Sequence, residues 1–309
     1  MTFEQAKQVL DQHGQGHVLK FWDVLTEGVR AQLLDQIAGL DFASVARMQG
    51  MLKAKGAVPS AVSEPAAPDV VVLTPEARAQ AYAAGEAEIR AGKVAVLLVA
   101  GGQGSRLGYE GPKGAYSIGP VTGRPLFFFH ARKIVGLCRR YGVRIPFYIM
   151  TSDANDAATR AHFEDHNYFG LDRNDVTFFV QGMWPALDSK GRIILDQPGH
   201  IFMGPDGHGG TLTALEKDGC LADMERRGIN TVFYFQVDNP MVEIADPAFI
   251  GVHVSRHADI SLKLCAKREP KEGLGVVVER NGRFEMVEYT ELTDEQANLV
   301  RMLFCGIIE

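Results

Sequence analysis

The spacing of hydrophobic and polar positions changes character along the chain. From residue 2 to about 53 it is helical. Val18, Phe21, Trp22 and Leu25 fall at i, i+3, i+4 and i+7, and Leu33, Leu34 and Ile37 form a second short stripe. Thr2 with Gln5 makes a capping box, and Asp41 is placed to cap a third helix carrying Phe42, Val45 and Met48. Residues 56–68, GAVPSAVSEPAAP, show no period and read as an extended connection over the surface. Thr74-Pro75-Glu76 then opens a helix that runs to Ala91 and stops at Gly92.

Beyond that point, apolar runs alternate with helical stretches. Residues 94–100, 145–150, 176–180, 193–195, 231–237 and 260–266 read as strands, and 94–100 is apolar throughout, as a strand covered on both faces would be. Helices are expected over 125–141 with Gly142 as the stop, from a cap at Asp153 to His166, over 211–227 and over 246–257. Residues 276–279 and 284–289, joined by Asn281-Gly282, have the form of a β-hairpin, and Thr293 with Gln296 starts a last helix. This order predicts an α/β fold with a mixed, mostly parallel sheet and an N-terminal helical layer. The expected division is a helical region over 1–92, with its linker near 56–68, and one main domain over 93–309. In such sheets ligands bind beyond the carboxyl ends of the strands. The segments to search are therefore 100–113, 151–153, 181–182 and 238–239.

Composition narrows the function classes. At 309 residues and 46% hydrophobic, the chain can bury a sizeable core. A formal net charge of -6 argues against a general nucleic-acid binder. Cys138, Cys220, Cys265 and Cys305 form no CxxC pair and read as reduced thiols of a cytoplasmic protein. No apolar run approaches the ~18 residues of a membrane span, and the acidic, amphipathic N-terminus is not a signal peptide. No membrane partner is expected, and the sequence leaves the oligomeric state open.

The candidate chemistry lies in residues 94–114, VAVLLVAGGQGSRLGYEGPKG. Gly101, Gly102 and Gly104 let the backbone turn sharply and approach a ligand, and exposed amides there can cradle phosphate oxygens. Arg106 can fork onto phosphate and Lys113 can place a point charge beside it. The loop is not a Walker A motif, because no GK[ST] ends it. It also fits a dinucleotide fingerprint poorly, because the third glycine is missing and Pro112 interrupts the helix opening.

The stretch AGGQGSRLGYEGPKG resembles the signature loop of the sugar nucleotidyltransferases, with Ser105 where threonine is commoner. Six further stretches are similar to the UDP-N-acetylhexosamine and UDP-sugar pyrophosphorylases. They are HVLKFWDVL at 17–25, HNYFGL at 166–171, FFVQGMWPA at 178–186, GPDGHGGTLTAL at 204–215, QVDNPMVEIADPAFIG at 236–251 and GVVVERNGRFEMVEY at 275–289. The resemblance runs nearly the whole length of the chain, in order. It implies a Rossmann-like nucleotidyltransferase (GT-A-like) fold. It also implies that residues 93–309 lack the C-terminal part of that family, since only Phe304 and Gly306 match the segment with which its members continue.

Such enzymes join UTP and a sugar 1-phosphate with release of pyrophosphate, using Mg²⁺. By resemblance, Arg106 and Lys113 are the catalytic cations and Asp238 is the metal carboxylate. Val99, Ala100, Gly101, Gly102 and Gly104 lie along the nucleotide, Gln181 reads the uracil edge and Gly207 packs close to the uridine. His208 (often asparagine in the family), Gly275, Glu288 and Tyr289 hold the sugar. The expected substrate is N-acetylglucosamine 1-phosphate. The alternatives are glucose or galactose 1-phosphate, or a truncated, weakly active module that binds UTP or a UDP-sugar.

Overall fold

The computed structural model describes residues 1–54, 70–266, 268–269, 272–273, 275–280, 283–287 and 304–307. Its elements begin with α1 (Phe3–Gln12), α2 (Glu27–Ala38), α3 (Phe42–Ala54), α4 (Pro75–Arg90), β1 (Val94–Val99), α5 (Leu126–Tyr141), β2 (Phe147–Thr151), α6 (Asp156–Asp165) and β3 (Val176–Val180). The short strands β4 (Met183–Pro185), β5 (Leu195–Gln197), β6 (His200–Ile201) and β7 (Met203–Pro205) follow. Then come α7 (Thr211–Lys217), α8 (Cys220–Arg226), β8 (Thr231–Gln236), α9 (Pro247–Ser255), β9 (Lys263–Ala266), β10 (Val276–Arg280), β11 (Arg283–Val287) and β12 (Phe304–Ile307).

The chain forms two compact units, Met1–Ala61 with Gly182–Gly207, and Val62–Gln181 with His208–Glu309. This division differs from the expected boundary at 92/93 in two respects, and each has a packing cause. The short strands join the N-terminal helices because Ile193 and Ile201 complete the core formed by Ala6, Leu10, Val18, Leu33 and Ile37. Gln15 and Gln36 bond the backbone of the segment 191–201 in this unit. Gln15 donates to Gly191 O (3.0 Å) and accepts from Ile193 N (2.8 Å), and Gln36 does the same with Ile201 O (3.2 Å) and Ile201 N (2.9 Å). Helix α4 joins the second unit because it lies backbone to backbone on α9. A Cβ on Gly85 would stand 1.9 Å from Pro247 O, and one on Gly251 1.7 Å from Ala81 O.

In the second unit the central sheet has the order β3-β2-β1-β8, with every neighbouring pair parallel. Alternation along β1 divides its side chains between two cores. Val94, Val96 and Leu98 pack with Leu126, Phe127, Ala131 and Ile134 of α5, and with Ile89 of α4 and Ile250 of α9. Ala95 and Leu97 pack with Ala214 and Leu215 of α7 and Cys220 and Met224 of α8. Helices thus cover both faces, which explains the unbroken apolar run of β1. The antiparallel pairs β10–β11 and β9–β12 are the late antiparallel piece. The turn Asn281-Gly282, the linker 56–68 and the helix expected from Thr293 lie outside the described residues.

Both halves of the Thr2 capping box form, Thr74 caps α4 ahead of Pro75, and Gly142 ends α5 in the left-handed conformation. Three local expectations are corrected. Residues 16–25 form two 3₁₀ turns, Gly16–Leu19 and Trp22–Val24, because α1 is capped at His13 and the bonds of Gln15 to Gly191 O and Ile193 N redirect the chain. The helix expected over 211–227 is broken into α7 and α8 at Gly219, whose φ is +72°. The strand expected over 193–195 lies at Leu195–Gln197. A further local feature is the left-handed turn Asn167, Tyr168 and Phe169, with φ of 46°, 51° and 54°. Tyr168 and Phe169 are held there by burial against Phe163, which compensates a conformation unfavourable to L-residues.

Replacing Gly251 by alanine forces α4 and α9 apart and is expected to cost about 2–3 kcal/mol. Gly136, on the exposed side of α5 with open space where a Cβ would go, is the control. Gly136→Ala should gain up to about 1 kcal/mol of helix propensity. Urea unfolding of the two variants should therefore shift in opposite directions, and a shift in the same direction would refute the close approach.

Candidate functional site

Strand β1 has β2 on one side and β8 on the other, so successive connections leave it in opposite directions. A sheet of this kind opens a crevice at that point, beyond the carboxyl ends of its strands. The glycine loop follows β1 and the segment Val237-Asp238-Asn239 follows β8, so both reach this switch point.

The loop is held at its start and at its return. Ala100 is fully buried and donates its N–H to Met150 O (2.8 Å). Gly104 N donates to Gly111 O (2.9 Å) and Lys113 N to Gly102 O (3.0 Å), so Gln103 faces Pro112 in an antiparallel bridge. Lys113 thereby comes back beside Gly102. Gly114 fixes this return, because a Cβ there would stand 2.1 Å from the Phe127 ring of α5. At the other end, the Gln181 side-chain amide lies flat against Gly101, where a Cβ would meet its Nε2 at 2.8 Å. The backbone amides of Gly101, Gly102 and Gln103 have no acceptor among the described residues. An open cavity of about 520 Å³ adjoins this loop, lined by Gln103, Ser105, Gly108, Tyr109, Glu110 and Gly111.

Across the switch point, Lys113 Nζ stands 3.2 Å from Asp238 Oδ2, with the two side chains 26% and 51% exposed. An ion pair this open contributes little stability, about 0–1 kcal/mol. Arg106 is exposed in the 3₁₀ turn Ser105–Leu107 and makes no ion pair or hydrogen bond among the described residues. His208 hydrogen-bonds the Tyr234 hydroxyl of β8 through Nδ1. Desolvation lowers the proton affinity of His208, and the charge of Asp238 opposes that shift. Burial raises the Tyr234 hydroxyl.

The loop thus brings Gly101 against Gln181, and Gly102 beside Lys113, which reaches Asp238. Val99, Ala100 and Gly104 lie along the same segment, and no contact joins Arg106 to them among the described residues. Gly207 is the last residue of the first unit and takes a left-handed φ of +57°. Gly275 lies directly before β10, beside Met286 and Val287. Glu288 and Tyr289 lie outside the described residues. Among the described residues no group of three His, Cys, Asp or Glu side chains is placed to hold a metal ion.

The family model described as UTP–glucose-1-phosphate uridylyltransferase matches residues 51–302 of the chain. The chain belongs to that family. As a uridylyltransferase-family chain it is 38% identical over 313 residues to UDP-N-acetylhexosamine pyrophosphorylase-like protein 1 of Xenopus tropicalis, covering 95% of this chain and 61% of that protein. It is 37% identical over 306 residues to UDP-N-acetylglucosamine diphosphorylase 2 of Arabidopsis thaliana, covering 94% and 61%. The crystal structure of the uridine diphosphate N-acetylglucosamine pyrophosphorylase from Trypanosoma brucei, in complex with inhibitor, is similar with a TM-score of 0.82 at 32% identity. That likeness covers 99% of this chain and 65% of the other. The chain therefore spans less than two thirds of the length of these relatives.

Sequence reasoning missed the residues that hold the family's loop and turn from behind. Asp153, expected as the cap of α6, is exposed, and the N-cap position belongs to Asn155, whose side chain is engaged with the glycine loop. Under the β8 turn, His130 Nε2 donates to Val237 O (2.9 Å), and Lys133 Nζ donates to Pro240 O (2.6 Å) and Val242 O (2.8 Å). A signal existed for His130. It falls on the apolar face of α5 with Phe127, Ala131 and Ile134, where a polar residue needs a partner.

His130 is fully buried, and that burial lowers its pKa to about 4 from 6.5, with the Val237 carbonyl and Asp238 opposing and Lys133 reinforcing. The unfolded chain therefore binds this proton more tightly than the folded one. The stability it confers is full above pH 6.5 and is lost as the pH falls toward 4. Between pH 7 and pH 5 the loss should be about 2 kcal/mol. His130→Gln keeps a donor for Val237 and cannot take up the proton, so its urea unfolding should change with pH by that much less. Equal pH dependence in the two proteins would refute the assignment.

Proposed function

We propose that the chain transfers a uridylyl group from UTP to N-acetylglucosamine 1-phosphate, forming UDP-N-acetylglucosamine and pyrophosphate. The observation that carries this reading is the meeting of Lys113 and Asp238 beside a glycine loop whose amides at 101–103 have no acceptor among the described residues. A triphosphate needs donors along its length and a counter-charge where its bonds change. The loop amides of 101–103 supply the first, and Arg106 with Lys113 supply the second. The sugar phosphate oxygen attacks the α-phosphorus in line. The new P–O bond forms as the α–β bridging bond breaks, and the electron pair leaves with pyrophosphate. The attacking group is already an anion, so His208 is not needed as a base. Catalysis then rests on positioning and charge stabilisation.

A divalent cation fits this arrangement. Asp238 is one exposed carboxylate at the switch point, and Mg²⁺ commonly takes one or two carboxylates with substrate phosphates and water as its other ligands. Mg²⁺ would supply charge neutralisation at the phosphates. The flat amide of Gln181 against Gly101 suits the uracil edge, since it can donate and accept together. His208, Gly275, Glu288 and Tyr289 are assigned to the sugar. Among the described residues no helix is long and apolar enough to cross a membrane. A cytoplasmic setting is part of the proposal, in keeping with the free thiols of Cys138, Cys220 and Cys265.

The names of the relatives favour N-acetylglucosamine, whereas the family description names glucose 1-phosphate. Pyrophosphate release from UTP with Mg²⁺ should therefore be measured with N-acetylglucosamine, glucose and galactose 1-phosphates. The first should give the highest kcat/KM, and Lys113→Ala should lower kcat by about 10²–10³-fold. A highest value with glucose would correct the sugar. UTP binding without release from any sugar phosphate would leave a binding module and sink the transferase reading.

A further inference from the structure

The glycine loop's own bonds hold its return, and its start is held from outside. After β2 the chain passes through Ser152, Asp153, Ala154 and Asn155 before entering α6, and this tetrapeptide grips the loop. Asn155 Nδ2 donates to Ala100 O (2.9 Å) and to Gly102 O (3.3 Å). Ser152 Oγ donates to Gly101 O (2.8 Å). Asn155 Oδ1 accepts from Ser152 N (2.9 Å), which ties the two gripping residues together. In return, Gln103 Nε2 donates to Ala154 O (3.1 Å). Three consecutive loop carbonyls are therefore each bound by a side chain from one short segment. Asn155 is 1% exposed and Ser152 6%.

Asn155 stands where an asparagine ordinarily caps its own helix, yet its side chain makes no capping bond to α6. A buried amide side chain satisfies as many of its hydrogen-bonding groups as it can. Here they are directed to the loop and to Ser152. This has a consequence for the loop's other polar groups. With the carbonyls of 100, 101 and 102 engaged by the protein, the amides of 101, 102 and 103 remain without acceptors among the described residues. Amides left without acceptors in this way are available to an anion from outside the chain.

We propose that Asn155 and Ser152 are positioning residues that preset the glycine loop to receive the phosphates of a nucleoside triphosphate. This rests on the function proposed above as far as the ligand is concerned, but not as far as the ordering of the loop is concerned. Neither residue touches the reacting atoms. Their effect is to remove the cost of ordering the loop from the cost of binding, which is a preorganisation effect. It should bear on the triphosphate and not on the sugar phosphate.

Asn155→Asp is the discriminating variant. It keeps the oxygen that accepts from Ser152 N, keeps the size, and replaces the donor by an acceptor facing two carbonyls. Ser152→Ala is the milder second variant. Two readouts separate the loop from the ligand. The first is the rate of tryptic cleavage after Arg106 in the free protein, which should rise at least tenfold in Asn155→Asp and less in Ser152→Ala. The second is UTP binding by calorimetry with Mg²⁺, where the dissociation constant should rise about 10–100-fold, with the KM for the sugar phosphate within twofold. A merely structural role would instead lower the thermal midpoint and raise both KM values together, and that pattern overturns the proposal. An unchanged cleavage rate overturns it as well, whatever the binding data show. If the unsubstituted chain binds no UTP, the proposed function fails, and the cleavage rates still decide whether Asn155 orders the loop.

Discussion

Everything at the candidate site depends on β1 being paired on both edges and buried on both faces. The pairing with β2 and β8 fixes its register, and the two cores fix which way each side chain points. A one-residue slip would exchange the residues facing α5 with those facing α7 and α8. Val94, Val96 and Leu98 could not fit where Ala95 and Leu97 now sit without repacking both layers. The carboxyl end of β1 is therefore held in place, and Ala100 carries that constraint into the loop through its bond to Met150 O. A glycine-rich segment has little conformational preference of its own. Its shape here comes from the sheet at one end, the Gly114–Phe127 contact at the other, and the Ser152–Asn155 segment between.

Much of this was legible before the structure. The apolar run 94–100 implied a strand covered on both faces, the glycines with Arg106 and Lys113 implied phosphate chemistry, and Asp238 after a second buried strand suggested where a carboxylate would come. The strand reading held because it follows from local rules, period and apolar continuity. The structure sets Lys113 beside Asp238 at the strand ends, and the phosphate chemistry belongs to the proposal. The residues whose role escaped, namely Asn155, His130, Lys133 and the hydroxyl of Ser152 within the searched segment 151–153, act across 51 to 109 positions of sequence on backbone atoms. A carbonyl oxygen has no residue identity, so a side chain that exists to bind one leaves no motif. The contact of α4 with α9 escaped for a related reason. Gly85 and Gly251 are each unremarkable alone, and they become meaningful only when the chain brings them together. Local spacing likewise misled at residues 16–25, where the apolar positions fit a helix face but the buried bonds of Gln15 to the backbone of Gly191 and Ile193 set the path.

The turn after β8 is built on a different principle from the loop after β1. Its support comes from below, from α5, through a neutral histidine and a lysine whose ammonium is taken up by two carbonyls. Burial lowers the proton affinity of both side chains, with Glu243 opposing the shift at Lys133. At His130 the cost of desolvating a charge is avoided by staying neutral, and the ring still donates from Nε2. The helix that packs the core thus also fixes the height at which Asp238 emerges. A core substitution in α5 would therefore reach the site through Val237 without altering any residue that faces the ligand.

The pair Lys113–Asp238 is best understood by what it is not. It is not a stabilising bridge, because half of the carboxylate's surface is open and such pairs contribute little. Its value lies in being weak. A lysine left alone beside the loop amides would concentrate positive charge there, and a carboxylate left alone would repel the anion of the proposed function. Set 3.2 Å apart, each screens the other until something with greater charge arrives. On the proposed reading that something is a triphosphate with its cation. Lys113 would then turn to phosphate and Asp238 would hold the cation, an exchange of partners that would cost little because so little is stored in the pair. A buried version of the same bridge would hold too tightly to let go, and its opening would leave an unpaired charge in low dielectric. The exposure of Asp238, which marks it as a poor contributor to stability, therefore suits it to this role.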